Sequence, residues 1–224
     1  METSGLKTVY LDLPASSSDL AKLELGTVVY LRGRLFTARE GAYHRAVEEG
    51  KGMPAPQSSL GLVNFHCSPA ARQNADGSYT VGAVTATASF RFAKYLEGWF
   101  NISGCNIIIG KAGMTSQDYR RYFVPHNAIY LTTVGYGTGA LLGRGIKSVA
   151  GVHWLQELGL AQAVWALDVE KFGPFIVEGD HRGNSLFERE NEKMAPTIRA
   201  LYQGSKPPVL RRFGETDDKT DELI

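Results

Sequence analysis

The sequence predicts an α/β fold, and three observations carry the prediction. Apolar segments of strand length alternate with segments of helical spacing for most of the chain. The run Asn106-Ile107-Ile108-Ile109-Gly110 is continuously apolar, as expected of a strand covered on both faces. Three strand-to-helix junctions each carry a cation, Arg39, Arg91 and Lys111, at what would be the carboxyl ends of strands. That is where α/β sheets place their ligands.

Taken in order, residues 8–14 alternate and are expected extended, and Ser17-Ser18-Asp19 caps a short helix through Leu23. A strand bounded by glycines follows over 26–33, and helical spacing begins at Thr37-Ala38-Arg39-Glu40, with Ala42, Ala46 and Val47 on one face. Gly50-Lys51-Gly52 ends it, and Pro54 and Pro56 forbid its continuation. Residues 59–65 read as a buried strand, 69–78 as a polar turn and 79–87 as an alternating strand. Phe92, Leu96 and Trp99 mark a helix over 92–100. After the strand at 106–110, Thr115-Ser116-Gln117-Asp118 is a capping box opening a helix through Tyr122. Strands are expected at 128–134, 149–154, 163–169 and 174–177, with Trp154, Trp165 and Phe172 as core. Residues 185–203 read as a helix interrupted near Pro196, and 204–224 as a mobile, charged tail following a domain over 1–203.

With 224 residues the chain can bury its own core. Its 24 basic and 23 acidic residues balance to a net charge of +1, with no Lys/Arg block, which argues against a nucleic-acid partner. No apolar run approaches the ~18 residues of a membrane span. No secretory segment opens the sequence, so a cytoplasmic protein with reduced thiols is expected. Cys67 and Cys105 lack metal spacing and are too few to hold an iron–sulfur cluster, and His44, His126 and His181 have no acidic or cysteine partner at ligand spacing, so no metal site is expected in this chain.

The chemistry concentrates at the junctions. Arg91 falls in the first turn of its helix, where the macrodipole disfavours a cation by roughly 0.3–1 kcal/mol. A bound anion would offset that cost, with Thr87 and Ser89 as neutral donors, and Thr37 in the same place at the Arg39 junction. The alternative is that Arg91 folds back onto a surface carboxylate. Three converging cations would suit a small dicarboxylate or a phosphate, but spacing does not fix whether they converge. Gly135-Tyr136-Gly137-Thr138-Gly139-Ala140 loosely matches a dinucleotide fingerprint, with Glu157 at about the distance of a ribose-binding acid, but it lies past the middle of the chain and lacks the third glycine; a close-packed turn of small residues is the preferred reading. Asp180 to Ser185 reads as a turn and N-cap.

Read together, the junctions resemble the beta subunit of the iron–sulfur hydro-lyases that include class I fumarase and L(+)-tartrate dehydratase, equivalent to the C-terminal part of the single-chain enzymes. Gly26 to Gly33 followed by Thr37-Ala38-Arg39-Glu40 is similar to the family's strand and Thr-Ala-Arg-Asp helix start. Thr87-Ala88-Ser89-Phe90-Arg91 resembles its Thr-Thr-Ser-x-Arg segment, and Ile109-Gly110-Lys111-Ala112-Gly113-Met114 its Ile-Gly-Lys-Gly-Gly-Met loop. Val152-His153-Trp154, residues 172–177 and Gly183-Asn184 are most similar to the tartrate dehydratase branch. The motifs keep their order from about Leu11 to Gln203.

The resemblance implies a swivelling β/β/α domain, a mixed sheet or barrel with flanking helices. It also implies reversible dehydration of a 2-hydroxydicarboxylate, of the malate/fumarate or L-tartrate/oxaloacetate type. An alpha subunit, in a heterotetramer, would carry the [4Fe-4S] cluster. Arg39 and Arg91 would clamp substrate carboxylates, Lys111 would add positive charge, and Thr87 would accept the proton. Ser89 and Thr37 would contribute to substrate binding, and His66 and Asn184 correspond to family positions. The departures are Glu40 for Asp, Tyr43 for His with His44 adjacent, Thr85-Ala86 for Gly-Pro, Ala88 for the second Thr, and Ala112 for Gly. They leave open a non-catalytic dicarboxylate-binding or regulatory domain derived from the same family.

Overall fold

The computed structural model describes residues 5–135 and 137–204. The expected tail lies outside them, apart from Gly204. The chain divides into two compact units, Met1–Glu188 and Arg189–Ile224. The first holds nine strands among its described residues: β1 Thr8–Asp12, β2 Val28–Thr37, β3 Val63–Phe65, β4 Cys67–Gln73, β5 Tyr79–Ala86, β6 Ile107–Gly110, β7 Ile129–Thr133, β8 Ile146–His153 and β9 Val164–Gly179.

Seven of these form one mixed sheet in the order β1-β2-β3-β6-β7-β9-β8. β1, β2, β3, β6 and β7 run parallel, each to its neighbour. β9 runs antiparallel to β7 and also pairs antiparallel with β2, closing β2-β3-β6-β7-β9 into a five-stranded barrel. One strand can serve three neighbours because it is long and bent. β9 spans the two short strands expected at 163–169 and 174–177. Lys171 at φ 48° and Gly173 at φ 156° turn the chain without ending its pairing, and the register with β2 shifts on either side of Leu31.

The period-2 alternation of each barrel strand divides its side chains between two cores. Leu35, Phe65, Ile107, Ile109, Ile129, Leu131, Phe172 and Phe175 belong to one cluster. Phe36, Ile108, Tyr130 and Ala166 face the other, where they meet Tyr43, Phe92, Trp99 and Phe123 of the covering helices. The apolar run at 107–109 is thus covered on both faces, as its sequence predicts. Trp165 and Phe172 are core. Trp154 is not: it stands only partly buried at φ 57°, with the Arg45 guanidinium 5.4 Å above its ring.

Helices differ from expectation mainly at their ends. Ser16, not Ser17, caps α1 Ser17–Leu20 through a capping box with Asp19. β2 runs past Gly33 to Thr37, so α2 Glu40–Tyr43 begins after Arg39 and passes into a π turn at His44–Glu48. Residues 57–60 form a short helix before β3. The expected polar turn at 69–78 is mostly strand: β4 pairs antiparallel with β5, and only residues 74–78 turn. Pro69 is tolerated there because β4 and β5 make a two-stranded ribbon. A 3-10 segment, Ser89–Tyr95, leads into the helix Leu96–Ser103. The Thr115–Asp118 capping box forms as expected. Helix Leu186–Leu201 passes through Pro196 unbroken, where the sequence suggests an interruption. Among the described residues no helix is long and apolar enough to cross a membrane.

Candidate functional site

The parallel strands end on one rim. Thr37 pairs with Phe65, Phe65 with Ile109 and Gly110 with Thr132, so the residues that follow these strands, Ala38-Arg39, His66 and Lys111, share an edge of the barrel. The end of β5 is tied to the same edge. Thr87 N–H donates to the His66 carbonyl at 2.6 Å, Lys111 N–H to the Thr87 carbonyl at 3.1 Å, and Ser89 N–H to the Lys111 carbonyl at 3.3 Å. Ala88 and Lys111 form a parallel bridge. Thr87, Ser89, His66 and Lys111, up to 45 positions apart in sequence, are therefore held side by side by the main chain.

The two arginines come to this rim differently. The Arg91 guanidinium lies 3.4 Å from Glu40, with both side chains about half exposed (52% and 53%), so water screens the pair. Folding back onto a surface carboxylate, the alternative left open by the sequence, is what Arg91 does here. The same contact brings the Arg91 junction against the Arg39–Glu40 junction. Arg39 donates through Nη1 to Ser68 Oγ and to the Ala161 carbonyl, while its buried Nε has no hydrogen-bond partner.

The hydroxyls are more committed than the sequence suggests. Thr37 is fully buried, donates to the Ala163 carbonyl at 3.3 Å and accepts from Trp165 N–H at 3.2 Å, cross-linking β2 to the start of β9. Ser89 is also buried, within hydrogen-bond distance of His66 Nδ1 and Tyr130 Oη, each at 2.7 Å. Asn184 is exposed and closes a turn, donating through its amide N–H and side chain to Asp180. Thr87 is nine-tenths buried.

Around His66 these contacts form a continuous buried chain. Asn64 Nδ2 donates to Tyr43 Oη at 2.7 Å, which leaves the Tyr43 proton for His66 Nε2 at 2.6 Å. His66 then carries its own proton on Nδ1 and donates to Ser89. Burial pushes the His66 pKa down to about 3, so the ring is neutral. The Tyr43 phenol thereby fixes the His66 tautomer. Gly110 is required at this place: a Cβ there would lie 1.9 Å from Ser89 Oγ and 2.6 Å from Tyr130 Oη.

A cleft of about 260 Å³ opens beside the bridge, lined by Thr85, Ala86, Lys111, Thr133 and the glycine-rich segment 135–140. Tyr136 of that segment lies outside the described residues. The segment leads into a seven-residue helix, Gly139–Gly145, and then into β8, which runs antiparallel to β9. The parallel βαβ unit that a dinucleotide fingerprint needs is not built there. Gly139 and Gly143 instead seat the helix on β5, where Cβ atoms would meet the carbonyls of Val84 and Gly82 at 2.4 and 2.1 Å. Glu157 pairs with Arg45 at 3.2 Å.

Four participants carry little sequence signal. Asn64 and Tyr130 read only as strand members, and Tyr43 only as a helical residue that departs from the family pattern. Glu178, fully buried at the end of β9, sits in an apolar stretch whose single acid is the one cue. The thiols fit a cluster poorly. Cys67 and Cys105 are buried, which raises both pKa values, that of Cys105 to about 12, so neither is a thiolate near neutral pH. Among the described residues no group of three or more His, Cys, Asp or Glu could hold a metal.

Residues 1–190 match the model of the family described as "Fumarase C-terminus". The chain is 30% identical over 208 residues to the L(+)-tartrate dehydratase subunit beta of Escherichia coli strain K12, covering 92% of this chain and 95% of that one. It is 33% identical over 187 residues to a Methanocaldococcus jannaschii protein provisionally named L(+)-tartrate dehydratase subunit beta, covering 83% and 94%. A Geobacillus stearothermophilus protein provisionally named fumarate hydratase class I is 29% identical over 185 residues, which span 83% of this chain and 34% of that longer one.

Proposed function

The chain belongs to the fumarase C-terminus family, and from that premise we propose that it is the beta subunit of a two-subunit hydro-lyase. Its reaction is the reversible dehydration of a 2-hydroxydicarboxylate, of the malate/fumarate or L-tartrate/oxaloacetate type. It works in the cytoplasm, active only with an alpha subunit, as a heterotetramer. The observation that carries this reading is the main-chain lock between Thr87 and Lys111 on the rim that also bears Arg39 and Arg91.

Dehydration breaks a C–H bond on one carbon and a C–O bond on the next. The C–H electron pair becomes the double bond, and the hydroxyl departs with its own pair. Arg39 and Arg91 hold the two carboxylates, and the carboxylate at Arg91 takes the place of Glu40. Thr87 Oγ accepts the proton. A threonine hydroxyl is a weak base, and the cations of Arg39, Arg91 and Lys111 favour its alkoxide. Ser89 and Thr37, whose hydroxyls are engaged within the protein, act by fixing the segments that carry Thr87 and Arg39. His66 supports Ser89, and Asn184 shapes its own turn. A [4Fe-4S] cluster would be held by the alpha subunit, where it would supply a Lewis acid; the protonated thiols of this chain do not suit it.

The test is turnover of malate and L-tartrate by the chain assembled with its alpha subunit, beside the Arg91→Ala variant. Loss of turnover with assembly intact is expected, and unchanged kinetics would remove Arg91 from the site. The Glu40–Arg91 pair favours a second reading, a dicarboxylate-binding or regulatory domain without catalysis. Calorimetric binding of dicarboxylates to the chain alone, with no turnover by the assembled protein, would select that reading.

A further inference from the structure

Beneath the loop that follows β6 lies a buried carboxyl with no place in the mechanism above. Glu178 is the penultimate residue of β9, with its side chain fully buried. Ser185 Oγ donates to its Oε1 at 2.6 Å, Phe187 N–H approaches the same oxygen at 3.4 Å, and Tyr119 Oη donates to Oε2. Tyr119 Oη in turn accepts from Met114 N–H at 2.9 Å. Gly113 lies flush on the carboxyl group, since a Cβ there would stand 2.7 Å from the Glu178 carboxyl carbon and 2.8 Å from each oxygen. One carboxyl therefore contacts both Gly113 and the group that holds Met114, two and three residues beyond Lys111.

A second tie reinforces the first. Ser185-Leu186-Phe187-Glu188 has the sequence of a capping box, and Ser185 Oγ accepts from Glu188 N–H at 3.2 Å. The Glu188 carboxylate does not return to Ser185. It accepts from Ser116 N–H at 2.8 Å, at the first turn of the helix that follows the loop. Both ends of the loop are thus fastened: at Lys111 by the main-chain bonds to Thr87 and Ser89, and from Gly113 to Ser116 by Glu178 and Glu188. Ala112, between the two fastenings, is held at φ 61°.

We propose that Glu178 is a positioning residue that fixes the Lys111-Ala112-Gly113-Met114 loop, and through it the Lys111 ammonium, at the rim of the cleft. The role in turnover rests on the function proposed above, whereas the role in holding the loop does not. A misplacement of about 1 Å at a substrate-binding group can cost on the order of a hundredfold in rate, which sets the scale of the effect.

The test is a double-mutant cycle on the full chain with Gly113→Ala, Glu178→Asp and both together. Retracting the carboxyl by one methylene makes room for the added methyl group. Two readouts separate the two claims. Amide hydrogen exchange at Met114, measured on the chain itself, is expected to rise about tenfold in either single variant and to return to within about threefold of the parent in the double variant. In the assembled enzyme, kcat/KM is expected to fall in Gly113→Ala and to recover when Glu178→Asp is added, because space rather than charge is restored. A double variant as impaired as the sum of its parts, or Met114 exchange unchanged in both singles, overturns the proposal. If the assembly dehydrates no 2-hydroxydiacid, the proposed function fails, and the exchange cycle still decides whether Glu178 holds the loop.

Discussion

The neutral chain around His66 and the carboxyl of Glu178 brace the same rim from two sides, one behind Thr87 and Ser89, the other beneath the Lys111 loop. Both are buried, and burial acts on them with opposite sign. Desolvation lowers the His66 pKa to about 3 and raises that of Glu178 above its usual value. His66 is stabilising in its neutral form. Its contribution is complete above the unfolded value near 6.5 and is lost as pH falls toward about 3, because the unfolded chain takes up the proton first. Glu178 is the reverse: its contribution is complete below the unfolded value of 4.5 and is lost as pH rises through its elevated folded value. One rim thus stands on two supports, the first weakened by acid and the second by base.

The largest expected effect comes from breaking the first support. His66→Leu leaves Tyr43 Oη and Ser89 Oγ without their shared partner, each keeping one other bond, and the two lost buried hydrogen bonds cost about 3 kcal/mol of unfolding free energy in urea titrations. A loss below about 1 kcal/mol would mean that the chain braces nothing. Next in size is the acid limb of the intact protein. Between pH 6.5 and 4.5 stability should fall by up to about 1.4 kcal/mol per unit, and that limb should flatten in His66→Leu. Above pH 4.5 Glu178 contributes a slope of opposite sign, so Glu178→Gln should steepen the acid limb of His66 by less than about 1.4 kcal/mol per unit, which would separate the two supports. The smallest effect concerns the loop between them. Ala112→Gly relieves a left-handed backbone and should stabilise by roughly 0.5–1 kcal/mol, read as a small rise in melting temperature.

What could be read in advance follows how local the cause is. The strand at 107–109 and the Thr115–Asp118 capping box were legible because each is dictated within a few residues. The three cationic junctions were legible as positions, and the resemblance supplied their chemistry, yet their meeting depends on the pairings of Phe65 with Ile109 and of Ala88 with Lys111, which no window of sequence contains. β4 was hidden by Pro69 and its neighbouring alanines, which have low strand preference outside the context of a ribbon. β9 was divided in two because Gly173-Pro174 normally ends a strand, whereas here neighbours on both sides hold the bend. Thr37 and Ser89 looked like free donors because sequence does not show which hydroxyls the main chain and buried side chains will claim.

The length and placement of β9 set the timetable by which the protein can form. Every antiparallel pairing of the large sheet involves this one strand, and it is encoded by residues 164–179, in the last third of the chain. Until it is present, β2 and β7 are open edges of a parallel sheet, and Trp165, Phe172 and Phe175 have not filled the interior. Folding of the rim is therefore a late, long-range event in which residues more than a hundred positions apart meet, as Arg34 does with Asp168. A nascent chain that stops short of residue 164 carries Arg39, Thr87, Arg91 and Lys111 but lacks the stave that draws them into one ring.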